Sequence, residues 1–128
     1  MSTFKKTILL ADDDNDLLEI FSLKLSAAGF VVETASDGAE ACEKAGKIKP
    51  DLAVLDVGMP NMNGVEAFFK MRENPELKDL RAVFLTNYGD ENHGAGIDQK
   101  TAKDMGALYY IKKTDDLNEI ISRIKKLA

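Results

Sequence analysis

The sequence is poor in cysteine, proline and histidine: its 128 residues include one Cys, three Pro and one His. Cys42 therefore has no partner for an internal disulfide, and no Cys or His stands at metal-ligand spacing from it. It reads as a small apolar residue on a helix. No apolar run approaches the ~20 residues needed to span a bilayer. The start, Met1-Ser2-Thr3-Phe4-Lys5-Lys6, lacks the apolar stretch of a secretory signal. No basic cluster goes beyond Lys125-Lys126, and a net charge of −5 disfavours direct nucleic-acid binding. Neither a P-loop nor a Gly-rich dinucleotide turn follows the first apolar run, which disfavours nucleotide binding. Internal repeats, low-complexity stretches and interdomain linkers are missing as well. What remains is expected to be a single domain over residues 1–128, large enough for a real core, and no effector domain is expected. It is expected in the cytoplasm, without membrane insertion.

What is present is an alternation of strand and helix signals, repeated five times. Thr7 to Ala11 is a short apolar run ended by acid, and a helix is expected from about Asn15. Its apolar positions Leu18, Phe21, Leu25 and Ala28 share one face, and Gly29 stops it. Phe30 to Thr34 is β-branched and short, a second strand. Ser36 or Asp37 caps the next helix, with Glu40 placed as a capping-box acid; Ala39, Cys42 and Ala45 give it a modest apolar face. Pro50 ends that stretch, and Leu52 to Leu55 is the third strand. A turn-rich segment, Gly58 to Gly64, leads into a helix carrying Val65, Phe68, Phe69 and Met71, which Asn74-Pro75 breaks. Ala82 to Leu85 is the fourth strand. Residues 87–97 hold three glycines and little periodicity, and a helix is expected over about Asp98 to Met105. Ala107 to Ile111 is the fifth strand. Asp115 or Asp116 opens a last helix with the stripe Leu117, Ile120, Ile121, Ile124 and Leu127. Apolar strands separated by helices predict an α/β fold, a doubly wound five-stranded parallel sheet with helices on both faces. Ligands in such folds bind outside the carboxyl ends of the strands.

Those carboxyl ends carry an unusual set of side chains. Asp12, Asp13 and Asp14 follow the first strand, Asp56 ends the third, Thr86 the fourth and Lys113 the fifth. Singly, each has a plain explanation: Asp13 or Asp14 as a helix cap, Asp56 as a turn residue, Lys113 as solvated charge beside Lys112. Jointly, acids, a hydroxyl and an ammonium on one sheet edge suit phosphoryl transfer to a carboxylate, where neutralising charge and positioning are the main tasks. Crowded acids invite a hard divalent cation with oxygen ligands, Mg²⁺ with Mn²⁺ as substitute. In this reading Asp56 is the nucleophile. Asp13 and Asp56 hold the metal, Asp12 reaches it through water, and a backbone carbonyl near Gly58 completes the protein's share. Lys113 and Thr86 meet the phosphoryl oxygens. Without metal, the acids raise one another's pKa. Adjacent strand residues point to opposite faces, so Lys112 and Lys113 cannot both reach the site.

Four blocks in order resemble the receiver domains of two-component response regulators, over essentially the whole chain. The most specific is Asp56-Val57-Gly58-Met59-Pro60-Asn61-Met62-Asn63-Gly64, similar to the family's phosphoacceptor Asp with the following Met-Pro and Gly. Ile8 to Asp13 resembles the first strand with its acidic pair, and the distance to Gly29-Phe30 favours Asp12 and Asp13 as that pair. Leu85-Thr86 and Gly106-Ala107-Leu108-Tyr109-Tyr110-Ile111-Lys112-Lys113 resemble the other two. The resemblance implies a flavodoxin-like sheet in the order 2-1-3-4-5. It also implies a phosphohistidine donor, either a sensor histidine kinase or a histidine phosphotransfer protein, and an unknown downstream protein target. The domain would be no enzyme beyond catalysing its own phosphorylation and dephosphorylation, and a monomer or a weak phosphorylation-dependent dimer. Phosphorylation adds about −1.5 to −2 charge, enough to bias a two-state element. Thr86 would then move toward the phosphoryl group and Tyr110 would turn inward. The output face would comprise the helix expected near 98–105, the fifth strand and the last helix.

Two other functions compete with this one. A metal-dependent phosphohydrolase using an aspartyl phosphate needs a second carboxylate two residues after the nucleophile, and that position is Gly58. A receiver-like docking module independent of phosphorylation is the alternative favoured by the departures from the family pattern. Thr114 replaces the usual proline after Lys113, and a cis bond there would cost about 2.5–4 kcal/mol, so a trans bond or a strained cis one is expected. The segment from Thr86 to Gly106 is several residues longer than usual. It contains Gly89, Gly94 and Gly96 and predicts an irregular helix start; His93 in it reads as solvated surface. Asn87 stands where the family has Ala or Gly, so its side chain is expected to shield the phosphoryl group. Asn87→Ala should accordingly lose its phosphoryl group faster than the wild type; equal or slower hydrolysis would contradict the shielding role.

Overall fold

The computed structural model describes residues 5–86, 107–113 and 115–128, with backbone alone for 107–110. Five strands, β1 (Thr7–Ala11), β2 (Val31–Ala35), β3 (Leu52–Asp56), β4 (Ala82–Thr86) and β5 (Ala107–Lys112), form one parallel sheet in the order β2-β1-β3-β4-β5. The expected strand order and doubly wound architecture are thus observed. The described helices are α1 (Asn15–Ala27), α2 (Gly38–Ile48), α3 (Gly64–Arg72) and α4 (Leu117–Leu127), with a 3₁₀ turn at Pro75–Leu77. The helix expected over about Asp98 to Met105 lies outside the described residues.

Alternation along each strand sorts the core onto two faces. Ile8, Leu10, Leu52, Val54, Val83, Leu85 and Ile111 face α1 and α4, where Leu18, Phe21, Leu25, Ile120 and Ile124 meet them. Leu9, Ala53, Leu55 and Phe84 face α2 and α3, where the small residues Ala41, Ala45 and Ala67 let the helices approach and Phe68 fills the space. Phe68 meets Phe84 edge-to-face, with centroids 5.8 Å apart. β2 departs from the apolar pattern. It is an edge strand, half-exposed along most of its length, and runs one residue later than expected because Val31 pairs with Thr7. Phe69, one of the apolar residues carried by α3, is 51% exposed.

Local chemistry sets the helix ends. The Asp14 carboxylate accepts hydrogen bonds from the backbone of Asp16 (3.0 Å) and Leu17 (3.2 Å), so Asp14 rather than Asp13 caps α1. Asp37 caps α2, while Glu40 reaches back to the Ser36 backbone at 2.6 Å. Asn63 and Glu66 form a reciprocal capping box at the start of α3. Asp116 caps α4, leaving Asp115 to pair with Arg123 at 3.3 Å. Gly29, at φ +102°, closes α1 in a conformation that suits glycine. With Asp14 committed to its cap, Asp12 and Asp13 are left at the crevice beside β3.

Candidate functional site

Strand order reverses at β1: β2 lies on one side and β3 on the other, which opens a crevice at the carboxyl ends of β1 and β3. Ala11 pairs with Leu55, so Asp12 and Asp56 are the next residues of the two strands. Both carboxylates are buried, and Asp13 beside them is exposed. One oxygen from each of Asp12, Asp13 and Asp56 can be chosen so that all lie within 4.8 Å of one another.

Lys113, just past β5, brings the positive charge. Its Nζ is 2.6 Å from Asp12 Oδ2 and 3.0 Å from Asp56 Oδ1, with its side chain 9% exposed. The neighbouring Lys112 belongs to β5 and is exposed. The Lys113 N–H donates to the Thr86 carbonyl at 2.7 Å, tying the end of β5 to the end of β4. The Asp14 N–H donates to Asp12 Oδ1 at 2.9 Å, and the Gly58 N–H donates to Asp56 Oδ1 at 3.2 Å. Thr86 is fully buried, and its hydroxyl has no hydrogen-bond partner among the described residues. A buried hydroxyl without a partner is costly, and here it stands at the same sheet edge as the acids.

Two glycines let the loop after β3 lie close. A Cβ on Gly64 would collide with the Asp56 carbonyl and come within 2.9 Å of its carbon, so the start of α3 sits directly against the end of β3. A Cβ on Gly38 would collide with the Met62 carbonyl. The backbone of Val57 donates to the Leu85 carbonyl at 3.0 Å, and Met59 is buried. Sequence reading identified Gly64 within the Asp56 block but gave Gly38 no part; its only signal was glycine at a helix start, where Ala would be the better helix former.

Burial pushes the Asp56 carboxyl up to about 6, and the neighbouring Asp12 carboxylate adds to the rise against the opposing pull of Lys113. Burial likewise raises Asp12. For Lys113, burial works against the charge but is outweighed by Asp12 and Asp56, so its ammonium is held above the ordinary range. The donor set fits a hard divalent cation: carboxylate oxygens only, converging, with more negative charge than one ammonium balances. Of the remaining candidates, Tyr110 contributes described backbone opposite Phe84, while its side chain, Asn87, His93, the glycine-containing segment and Thr114 lie outside the described residues.

The family model described as the response regulator receiver domain matches residues 8–125. The alkaline phosphatase synthesis transcriptional regulatory protein PhoP of Bacillus subtilis is 33% identical over 122 residues, covering 95% of this chain and 48% of that protein. The chain spans about half the length of the curated relatives it matches. Among solved structures, the chemotaxis response regulator CheY4 of Vibrio cholerae superposes with a TM-score of 0.82 at 26% identity, covering 98% of this chain and all of that one. The response regulator TrrA of Thermotoga maritima, solved in complex with Mg²⁺–BeF, gives 0.77 at 28% identity, covering 96% and 99%.

A carboxyl whose folded pKa exceeds its unfolded value of 3.8 makes folding less favourable as pH rises between the two. For Asp56 the loss amounts to at most about 3 kcal/mol, complete above pH of about 6. With divalent metal chelated, Asp56→Asn should therefore be more stable than wild type near neutral pH, and the gap should close near pH 4. Urea unfolding across that range measures it; a variant no more stable at neutral pH would show that Asp56 bears no such burden.

Proposed function

Because this chain belongs to the response regulator receiver domain family, we propose that Asp56 is its phosphoacceptor and that the crevice between β1 and β3 is where the phosphoryl group arrives. The observation that carries this is the convergence of Asp12, Asp13 and Asp56 with Lys113 Nζ 3.0 Å from Asp56. TrrA, the relative solved with Mg²⁺–BeF, supports Mg²⁺ as the ion for the acidic pocket. Asp13 and Asp56 would hold it, with Asp12 acting through water and the Gly58 carbonyl completing the set. When bound, the ion supplies positive charge to the phosphoryl oxygens.

The chemistry asked of the side chains is limited. A carboxylate oxygen of Asp56 attacks the phosphorus of a phosphohistidine; the new O–P bond forms as the P–N bond breaks, and its electron pair returns to the imidazole nitrogen. Lys113 balances charge on a phosphoryl oxygen in place of one carboxylate contact. The Thr86 hydroxyl, without a partner among the described residues, is available to donate to another. The phosphoryl group leaves Asp56 when water attacks phosphorus: the water O–P bond forms as the carboxylate O–P bond breaks, its electron pair returns to the Asp56 carboxylate, and inorganic phosphate departs. Burial of the crevice strengthens each of these interactions relative to water.

The donor is a histidine kinase or phosphotransfer protein, and the signal passes to a downstream protein through the changed surface. Because Thr86 accepts the Lys113 N–H through its carbonyl, movement of Thr86 would strain the junction of β4 with β5 and carry the change toward α4. Tyr110, whose backbone pairs with Phe84 of β4, is the aromatic expected to respond. Incubation with Mg²⁺ and acetyl phosphate, read by intact mass, should add one phosphoryl group to the wild type and none to Asp56→Asn or to chelated protein. If the wild type binds Mg²⁺ yet gains no mass from acetyl phosphate or from a phosphohistidine donor, the domain is a docking module instead.

A further inference from the structure

α2 contains two glycines in unlike surroundings. Gly46 lies inside the helix with space around it: a Cβ there would find only the Asn74 side-chain nitrogen, at 3.9 Å. Gly38 is the first residue of the helix, and nothing in its backbone requires glycine, since the described glycine with positive φ is Gly29. Space is what requires it. A Cβ on Gly38 would collide with the Met62 carbonyl and stand 2.8 and 2.9 Å from Met62 Cβ and Cγ. Met62 Cγ could swing away, but its Cβ and carbonyl could move only with the loop.

That loop, 57–63, joins Asp56 to α3, and it is held at one end by a hydrogen bond and at the other by a close backbone contact. Val57 is tied to β4 through the Leu85 carbonyl, and Gly64 abuts the Asp56 backbone. In between, the chain makes a tight turn, with the Met62 N–H donating to the Pro60 carbonyl at 2.7 Å and Asn61 at φ +67°. Met62, the last residue of this turn, is the part that α2 touches. Gly58, four residues before Met62, donates to Asp56 Oδ1. A push at Met62 therefore reaches Gly58 through a short segment whose ends are fixed.

We propose that Gly38 is a positioning residue: by letting α2 close on the Met62 backbone, it sets the shape of loop 57–63 and thereby the placement of Gly58 against Asp56. The inference rests on the proposed function above and assigns part of the site's geometry to a helix that supplies none of its charged groups. Gly38 touches neither metal nor phosphoryl group; it acts through the loop. Partners that orient a metal's ligands commonly change affinity by about 10–100-fold when altered.

The test uses Gly38→Ala, Gly46→Ala and the double variant, each measured for thermal midpoint, Mg²⁺ affinity by calorimetry, and hydrogen exchange over 57–63. Wild type is measured first. If it fails to bind Mg²⁺, the functional reading fails, and hydrogen exchange alone then judges the loop. Gly38→Ala should weaken Mg²⁺ binding by about tenfold or more and speed exchange in the loop. Gly46→Ala should leave both unchanged while raising the midpoint. The double variant separates positioning from stability, and it also guards against a poorly folded single variant. It should regain the midpoint and keep the weak binding and fast exchange. Wild-type affinity and exchange in a folded Gly38→Ala, or their return along with stability in the double variant, would overturn the proposal.

Discussion

The carboxyl edge of this sheet is organised around one ammonium shared by two buried carboxylates. Lys113 Nζ lies between Asp12 and Asp56, and exposed Asp13 adds a third negative charge nearby. One positive charge cannot balance three acids, and burial removes much of the water that would otherwise do so. The raised Asp56 carboxyl expresses that imbalance. The same imbalance makes the crevice receptive to a divalent cation and then to a phosphoryl group, so the destabilising charge and the proposed function have one origin.

The fold pays for this arrangement with an ordinary core. The strands bury alternate residues on opposite faces, against α1 and α4 or against α2 and α3, and the side chains left for the candidate site are the last of β3 and β4, Asp56 and Thr86, and those just past β1 and β5, Asp12 and Lys113. Because β1 sends its neighbours to either side, the gap at its carboxyl end needs no cavity carved from the core. Backbone contacts then refine the positions: Asp14 and Gly58 donate to the two buried acids, and Thr86 receives the backbone of Lys113.

The strands were legible because short, unbroken apolar runs such as Leu52 to Leu55 leave little choice in a two-faced sheet. The edge strand β2 was less so: with one neighbour it tolerates exposure, and its apolar start at Phe30 drew the boundary one residue early. The placement of Asp12, Asp56 and Lys113 at one edge followed from counting strand ends, since a parallel sheet sends every carboxyl end the same way. The choice among three consecutive aspartates did not follow from residue type, because Asp13 and Asp14 are equally able to cap the helix; the distance to Gly29-Phe30 in the family resemblance is what favours Asp12 and Asp13 for the site. The structure gives that cap to Asp14. Gly38 was beyond reach for a different reason. Its contact with Met62 joins residues far apart in the chain, and a glycine written before a helix looks the same whether it faces solvent or a carbonyl.

If excess carboxylate charge at this crevice is the feature on which the site depends, Mg²⁺ should stabilise the fold through specific binding. The direct measurement is the thermal midpoint near neutral pH with MgCl₂ against NaCl at matched ionic strength. The midpoint should rise with Mg²⁺ alone, in a saturable way that Asp13→Ala abolishes. Equal midpoints in the two salts would contradict a cation site built from Asp12, Asp13 and Asp56.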